Sequence, residues 1–130
     1  MYYILLIIFG SLGAVSRYTF ELLINTGHFP LATLMINLAG CFLLAFVTSF
    51  LSEVSFFSPR FTSAIGTGFI GSFTTFSTFA LESAELIQIG DYLSAAGYIF
   101  ASLFGGLITC ALGFQASKIL LSCRKRVVKK

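Results

Sequence analysis

Gly66–Phe79, GTGFIGSFTTFSTF, is the stretch whose reading decides the fold. It lies inside an apolar segment long enough to cross a membrane, yet it holds three glycines and six hydroxyl side chains. Glycine lowers helix stability and hydroxyl groups compete for backbone hydrogen bonds, so an uninterrupted helix is not expected here. In lipid the chain cannot simply unwind, because unpaired backbone amides and carbonyls are costly to hold away from water. Irregular backbone at that depth is tolerated where it faces protein or lines a water-filled path. The stretch therefore reads as a broken helix at the middle of a membrane protein, where ion and substrate sites are commonly built. The alternative is a flexible but continuous helix whose glycines let it pack closely on a neighbour.

The residues around this stretch support a membrane setting. Of the 130 residues 57% are hydrophobic and 10% charged, and the mean hydropathy of +0.95 excludes an ordinary water-soluble domain. Upstream, apolar runs extend over about Tyr2–Ile24 and Leu31–Leu51; the third runs over about Arg60–Leu86 and a fourth over about Tyr92–Leu121. Each approaches the roughly 20 residues that span a bilayer. The connections, Asn25–Pro30, Ser52–Pro59 and Gln88–Asp91, are short, so successive helices are expected to run antiparallel. The expectation is an all-α membrane protein, a single four-helix domain over residues 1–130 with a basic tail at 122–130. A bundle this thin hardly encloses a pore alone, which points to a dimer or larger assembly.

Charge gives the orientation. Five of the eight basic residues fall between Arg124 and Lys130, while Asn25–Pro30 and Gln88–Asp91 contain no Lys or Arg. An even number of spans puts both termini on one side, and basic flanks put that side in the cytoplasm. The tail fits acidic lipid head groups better than nucleic acid. Cys41, Cys110 and Cys123 have no metal-ligand spacing and read as reduced, packing cysteines. The lone His28 has no Cys or acidic partner at ligand spacing, and no nucleophile stands beside a base, so enzyme chemistry is not expected.

Several polar and aromatic residues stand out within the spans. Arg17 and Glu21 are four apart and face each other on one helix side, as an anion-attracting vestibule charge or as a structural pair. Asn37, deep in the second span, can donate to an anion or tie two helices together. Phe76 and Phe79 follow the break on one helix face, and aromatic ring edges attract a small anion weakly. Backbone carbonyls around Gly71–Thr74 suit a small hard cation. Glu82 and Glu85 follow toward the membrane edge; Glu82 is a candidate to line the path, and a solvated helix end explains both. In the fourth span Gly97, Ala101, Gly105, Thr109 and Gly113 form a small-residue stripe suited to close helix packing. Beside it Tyr98, Ser102 and Gly106 recur every four residues, with hydroxyls that can replace an ion's water or bond to a neighbouring helix.

With GSLGAVSRY at Gly10–Tyr18, TLMINLAGCFLLA at Thr33–Ala45 and GFIGSFTTFSTF at Gly68–Phe79, nearly the whole chain resembles the small bacterial fluoride channels called Fluc or CrcB. The resemblance implies a subunit of a fluoride-selective channel in the bacterial plasma membrane that lets cytoplasmic fluoride leave passively. It implies a dimer of two oppositely inserted subunits, with a structural sodium ion at the dimer interface held by the carbonyls of Gly71 and Thr74. It places Asn37, Phe76, Phe79, Tyr98 and Ser102 along the fluoride path and Arg17 near the vestibule. One departure stands out: the family commonly has a further Ser or Thr one turn after Ser102, and here that residue is Gly106. The strong charge bias adds a second possibility to the antiparallel homodimer, a heterodimer with an oppositely oriented homologue. Two rivals remain at this stage. A proton-coupled drug exporter needs an embedded carboxylate, and Glu21 is neutralised by Arg17. A non-conducting scaffold explains the glycine stripe but not the conjunction of Asn37, the break and the phenylalanine pair.

Overall fold

A computed structural model describes residues 2–24, 29–54 and 58–128, with side chains through Arg124 at the C-terminal end. The Asn25–His28 part of the first connection, Ser55–Phe57 of the second and most of the basic tail's side chains lie outside the described residues. The regular elements among the described residues are all helices, with no strand. Helix α1 spans Tyr2–Leu23 and α2 spans Leu31–Glu53. The third crossing is assembled from α3 (Pro59–Ser63), a π-helical segment (Ala64–Ile70), α4 (Gly71–Phe73) and α5 (Phe76–Gln88). Helix α6 runs over Tyr92–Val128, seven residues beyond the end expected from hydropathy, because Arg and Lys sustain a helix in water as well as Leu does. Four helical crossings are long and apolar enough to span a membrane, and the protein is a multi-pass membrane protein.

Local chemistry sets the helix ends. Ser58 caps α3 by accepting from Phe61 N at 3.2 Å, and Pro59 at the first position needs no N–H partner. After α5, Gly90 takes φ +84°, a left-handed conformation that ends the helix, and Asp91 Oδ1 accepts from Ser94 N at 3.1 Å to start α6.

Close backbone approach positions the third crossing. A Cβ on Gly13 would run into the carbonyl of Phe69, and one on Gly68 would stand 3.1 Å from the Leu6 carbonyl. Helix α1 and the π-helical segment thus meet backbone to backbone, an arrangement only small residues permit. The most extensive contact is α2 on α6. Gly105 lies against Leu38, and a Cβ on Gly113 would collide with the Phe42 carbonyl, whereas Gly97 has open space around it. The expected small-residue stripe therefore packs only in part. Steps of four residues overshoot the 3.6-residue turn by about 40° each, so the stripe winds off the α2 face toward its N-terminal end. Many apolar side chains, among them Ile7, Val15 and Leu22 on α1 and Leu107 and Ile119 on α6, point outward, as lipid as solvent allows.

Candidate functional site

The helix breaks at Thr74 and Thr75, where the backbone turns extended (φ −82°, ψ 158° and φ −145°, ψ 125°). The break is narrower than the glycine count suggests. Gly66, Gly68 and Gly71 all stay in helical backbone, and the two threonines supply the discontinuity. Threonine is the residue type that can do so, because its hydroxyl offers the backbone alternative partners.

Those partners are explicit. Asn37 Nδ2 donates to the Thr75 carbonyl and Asn37 Oδ1 accepts from Thr75 N, both at 2.9 Å. The carboxamide acts as a peptide group from α2 and satisfies the broken strand in the absence of water. In a continuous α-helix the Thr75 N–H would bond to the Gly71 carbonyl; here it is turned to Asn37. The Thr78 N–H would likewise serve the Thr74 carbonyl, but it donates to Thr75 Oγ1 at 3.2 Å, capping α5. The regular donors to the Gly71 and Thr74 carbonyls are thus both diverted to side chains. Thr74 Oγ1 donates to the Ile70 carbonyl at 3.0 Å, and its methyl occupies the space that a Cβ on Gly40 would need. Gly40 and Asn37, one turn apart on α2, together form the seat of the break.

A groove of about 530 Å³ runs beside this seat. Asn37, Gly71, Thr74, Phe76, Phe79 and Ser102 all line it, so six of the eight residues expected from sequence come together. The Phe76 and Phe79 rings stand 5.9 Å apart at 43°, and Phe76 is 79% exposed on the open side. Ser102 Oγ is buried without a hydrogen-bond partner. Cys41 also lines the groove, and its Sγ stands 3.6 Å from where a Cβ on Gly106 would lie, so a thiol from α2 faces the position without a hydroxyl on α6. Leu44, Gly66 and Gly71 are shared with a second cleft of about 630 Å³ lined by Thr48, Thr62 and Thr67. Hydroxyl side chains on otherwise apolar walls therefore continue from the break toward the end of the bundle that carries the tail.

Tyr98 and Arg17 lie elsewhere. Tyr98 is fully buried; its ring packs 5.1 Å from Phe79 and its hydroxyl donates to Glu82 Oε2 at 2.7 Å. Thr33 Oγ1 donates to the other oxygen, Oε1, at 2.8 Å. Glu82 is thus not a plain solvated helix end. It is a carboxylate held by hydroxyls from α2 and α6 directly behind the phenylalanine pair. Thr33 was not legible as its partner, since the contact spans 49 residues and one threonine among many gives no pattern. Glu85 is exposed. Arg17 Nε lies 3.7 Å from Glu21 Oε1, with both side chains about one-third exposed, so the expected pair on α1 forms. All three cysteines are free, and Cys110 and Cys123 are exposed where packing residues were expected.

This geometry defines a class, a small four-crossing helical membrane protein with a broken helix set against a mostly apolar groove that carries a few polar groups. The particular family follows from comparison. The model of the family described as "CrcB-like protein, Camphor Resistance (CrcB)" matches residues 4–114, and the chain belongs to that family. "Fluoride-specific ion channel FluC 2" of Listeria monocytogenes serotype 4b is 48% identical over 122 residues, covering 94% of this chain and 95% of the relative. The protein of the same name from Listeria innocua serovar 6a is 49% identical over 121 residues, covering 93% and 94%. "Fluoride-specific ion channel FluC 1" of Bacillus thuringiensis subsp. konkukian is 48% identical over 122 residues, covering 92% and 89%.

Proposed function

We propose that this chain is a subunit of a fluoride-selective channel, not an enzyme, which lets accumulated fluoride leave the cytoplasm passively and lowers its toxicity. One observation carries the reading. A single groove gathers Asn37, Ser102, Phe76 and Phe79 beside a helix break, in a family member nearly half identical to fluoride-specific ion channels along almost its whole length. Fluoride is small and strongly hydrated, so a path must replace its water with donors that bind weakly enough to release it. The groove offers the second N–H of the Asn37 carboxamide, the Ser102 hydroxyl and the ring edges of Phe76 and Phe79. Tyr98 holds Glu82 and supports Phe79 from behind, and Arg17 raises anion concentration at the vestibule.

Gly71 and Thr74 are the residues we assign to a structural sodium ion. Their carbonyls have lost their regular helical donors to Asn37 and Thr75, which suits a small hard cation. When bound, it supplies positive charge that offsets a nearby anion where the dielectric is low. Because Phe76 is so exposed, the groove is half of a path that a second, oppositely inserted subunit completes. That subunit is either a second copy or an oppositely oriented homologue. The bias of basic residues favours the homologue and places both termini of this chain in the cytoplasm.

The test is fluoride efflux from liposomes containing only this protein, read with a fluoride electrode beside Asn37→Ala and Phe76→Ile. Efflux that ignores a proton gradient, passes no chloride and falls at least tenfold in both variants establishes the channel as a homodimer. Silence from folded protein that is relieved by an oppositely oriented homologue establishes the heterodimer. Silence with every such partner overturns the reading. Replacing sodium by a large organic cation is expected to lower thermal stability; no change removes the sodium assignment.

A further inference from the structure

The second cleft leads away from the groove. It is lined from Gly71, at the break, to Ser52 and Pro59 at the end of the bundle that carries the tail. Gly71 and Pro59 are twelve positions apart, at most about 18 Å at about 1.5 Å per residue, which exceeds the ~15 Å half-thickness of the hydrocarbon core. Among the described residues no charged side chain lines this cleft, and three of its hydroxyls are oriented. Thr48 Oγ1 donates to the Leu44 carbonyl at 2.6 Å, Ser52 Oγ to the Ser49 carbonyl at 3.1 Å and Thr62 Oγ1 to the Ser58 carbonyl at 3.5 Å. A carbonyl can only accept, so each proton is turned to its own helix and each oxygen keeps lone pairs for the cleft. These acceptors stand on both walls, Thr48 and Ser52 on α2 and Thr62 on α3. At the inner end lies Gly71, whose carbonyl has lost its regular donor because the Thr75 N–H is turned to Asn37.

The sign of these groups selects the traveller. An anion finds no proton on Thr48, Ser52 or Thr62, whereas a cation finds three oxygens on otherwise apolar walls that end at an under-used carbonyl. Asn37, which can donate, lines the groove and not the cleft. We infer that this cleft is the route by which the structural sodium ion reaches and leaves the Gly71 and Thr74 carbonyls, with Thr48, Ser52 and Thr62 standing in for part of its water. The inference rests on the sodium assignment made above and adds to it a path distinct from that of fluoride. Neutral oxygens hold a monovalent ion weakly enough to let it move on. A divalent ion, which needs carboxylates or many oxygens to shed its water, finds neither here.

The test times the loss of radioactive sodium from the loaded, intact assembly after transfer to medium holding only a large organic cation, with equilibrium affinity titrated separately. Thr48→Val and Thr62→Val keep side-chain shape and each remove one oxygen. The double variant is expected to release sodium about tenfold more slowly at unchanged affinity, because a route alters entry and exit alike. Each single variant is expected to slow release about threefold, which carries the test should the double variant not assemble. Release at the wild-type rate from these variants overturns the route. Lower affinity also overturns it, since the hydroxyls would then be ligands of the resting ion. Wild-type protein that retains no label removes the sodium assignment itself, an outcome distinct from failure of the route alone.

Discussion

Between Ala64 and Ile70 the third crossing keeps a helical backbone, whereas four residues later, at Thr74 and Thr75, it runs extended. Both regions lie deep in the bundle, and both draw on the residues that make the sequence look unfit for a helix. In the first, glycines let α1 approach until backbone meets backbone, and the helix widens to the π form without parting. In the second, backbone hydrogen bonds are exchanged for bonds to Asn37 and to the threonine hydroxyls. The comparison teaches that glycine in a membrane helix buys proximity, while a break needs a substitute partner for each released group.

Four substitutions would break or sharpen that contrast. Gly13→Val puts a branched side chain into the Phe69 backbone, which cannot swing aside. The cost is expected to exceed the about 1–3 kcal/mol usual for overpacking, with loss of monodisperse protein in size-exclusion chromatography. Asn37→Ala leaves the Thr75 N–H and carbonyl unpaired, at about 1–3 kcal/mol per group. A clear drop in thermal stability should accompany the lost efflux, and normal conduction would show that α2 does not set the break. Thr75→Val keeps the shape but removes the cap on α5, expected to cost about 1 kcal/mol in a thermal-unfolding series. Gly97→Ala meets nothing within 4 Å and is expected to stabilise α6 by about 0.5–1 kcal/mol. If Gly97→Ala proved as damaging as Gly13→Val, intrachain glycine contacts would not explain the packing.

Much of this was legible beforehand. The four crossings follow from apolar length, and the broken helix from hydroxyls and glycines where lipid forbids loose backbone. Of the two readings of Asn37, the tie between helices is present in its two bonds to Thr75, and the residue also lines the groove. Of the two features that pointed to a break, the hydroxyls and not the glycines make it, because glycine's weak helix propensity is overridden where burial leaves the backbone no partner but itself. Tyr98 was placed on the right helix but not in the right company, since its hydroxyl meets Glu82 from another crossing.

The sequence by itself determined that the chain crosses a membrane four times, where the third crossing is interrupted and which end is basic. These depend on hydrophobic length and on backbone pairing within a few residues, and both are written locally. Only the tertiary structure decided which polar groups meet: Asn37 with Thr75, and Thr33 and Tyr98 with Glu82. Such pairings depend on helix rotation and depth, which are set by where glycines let backbones touch, and a contact spanning 38 or 49 residues leaves no periodicity in the chain.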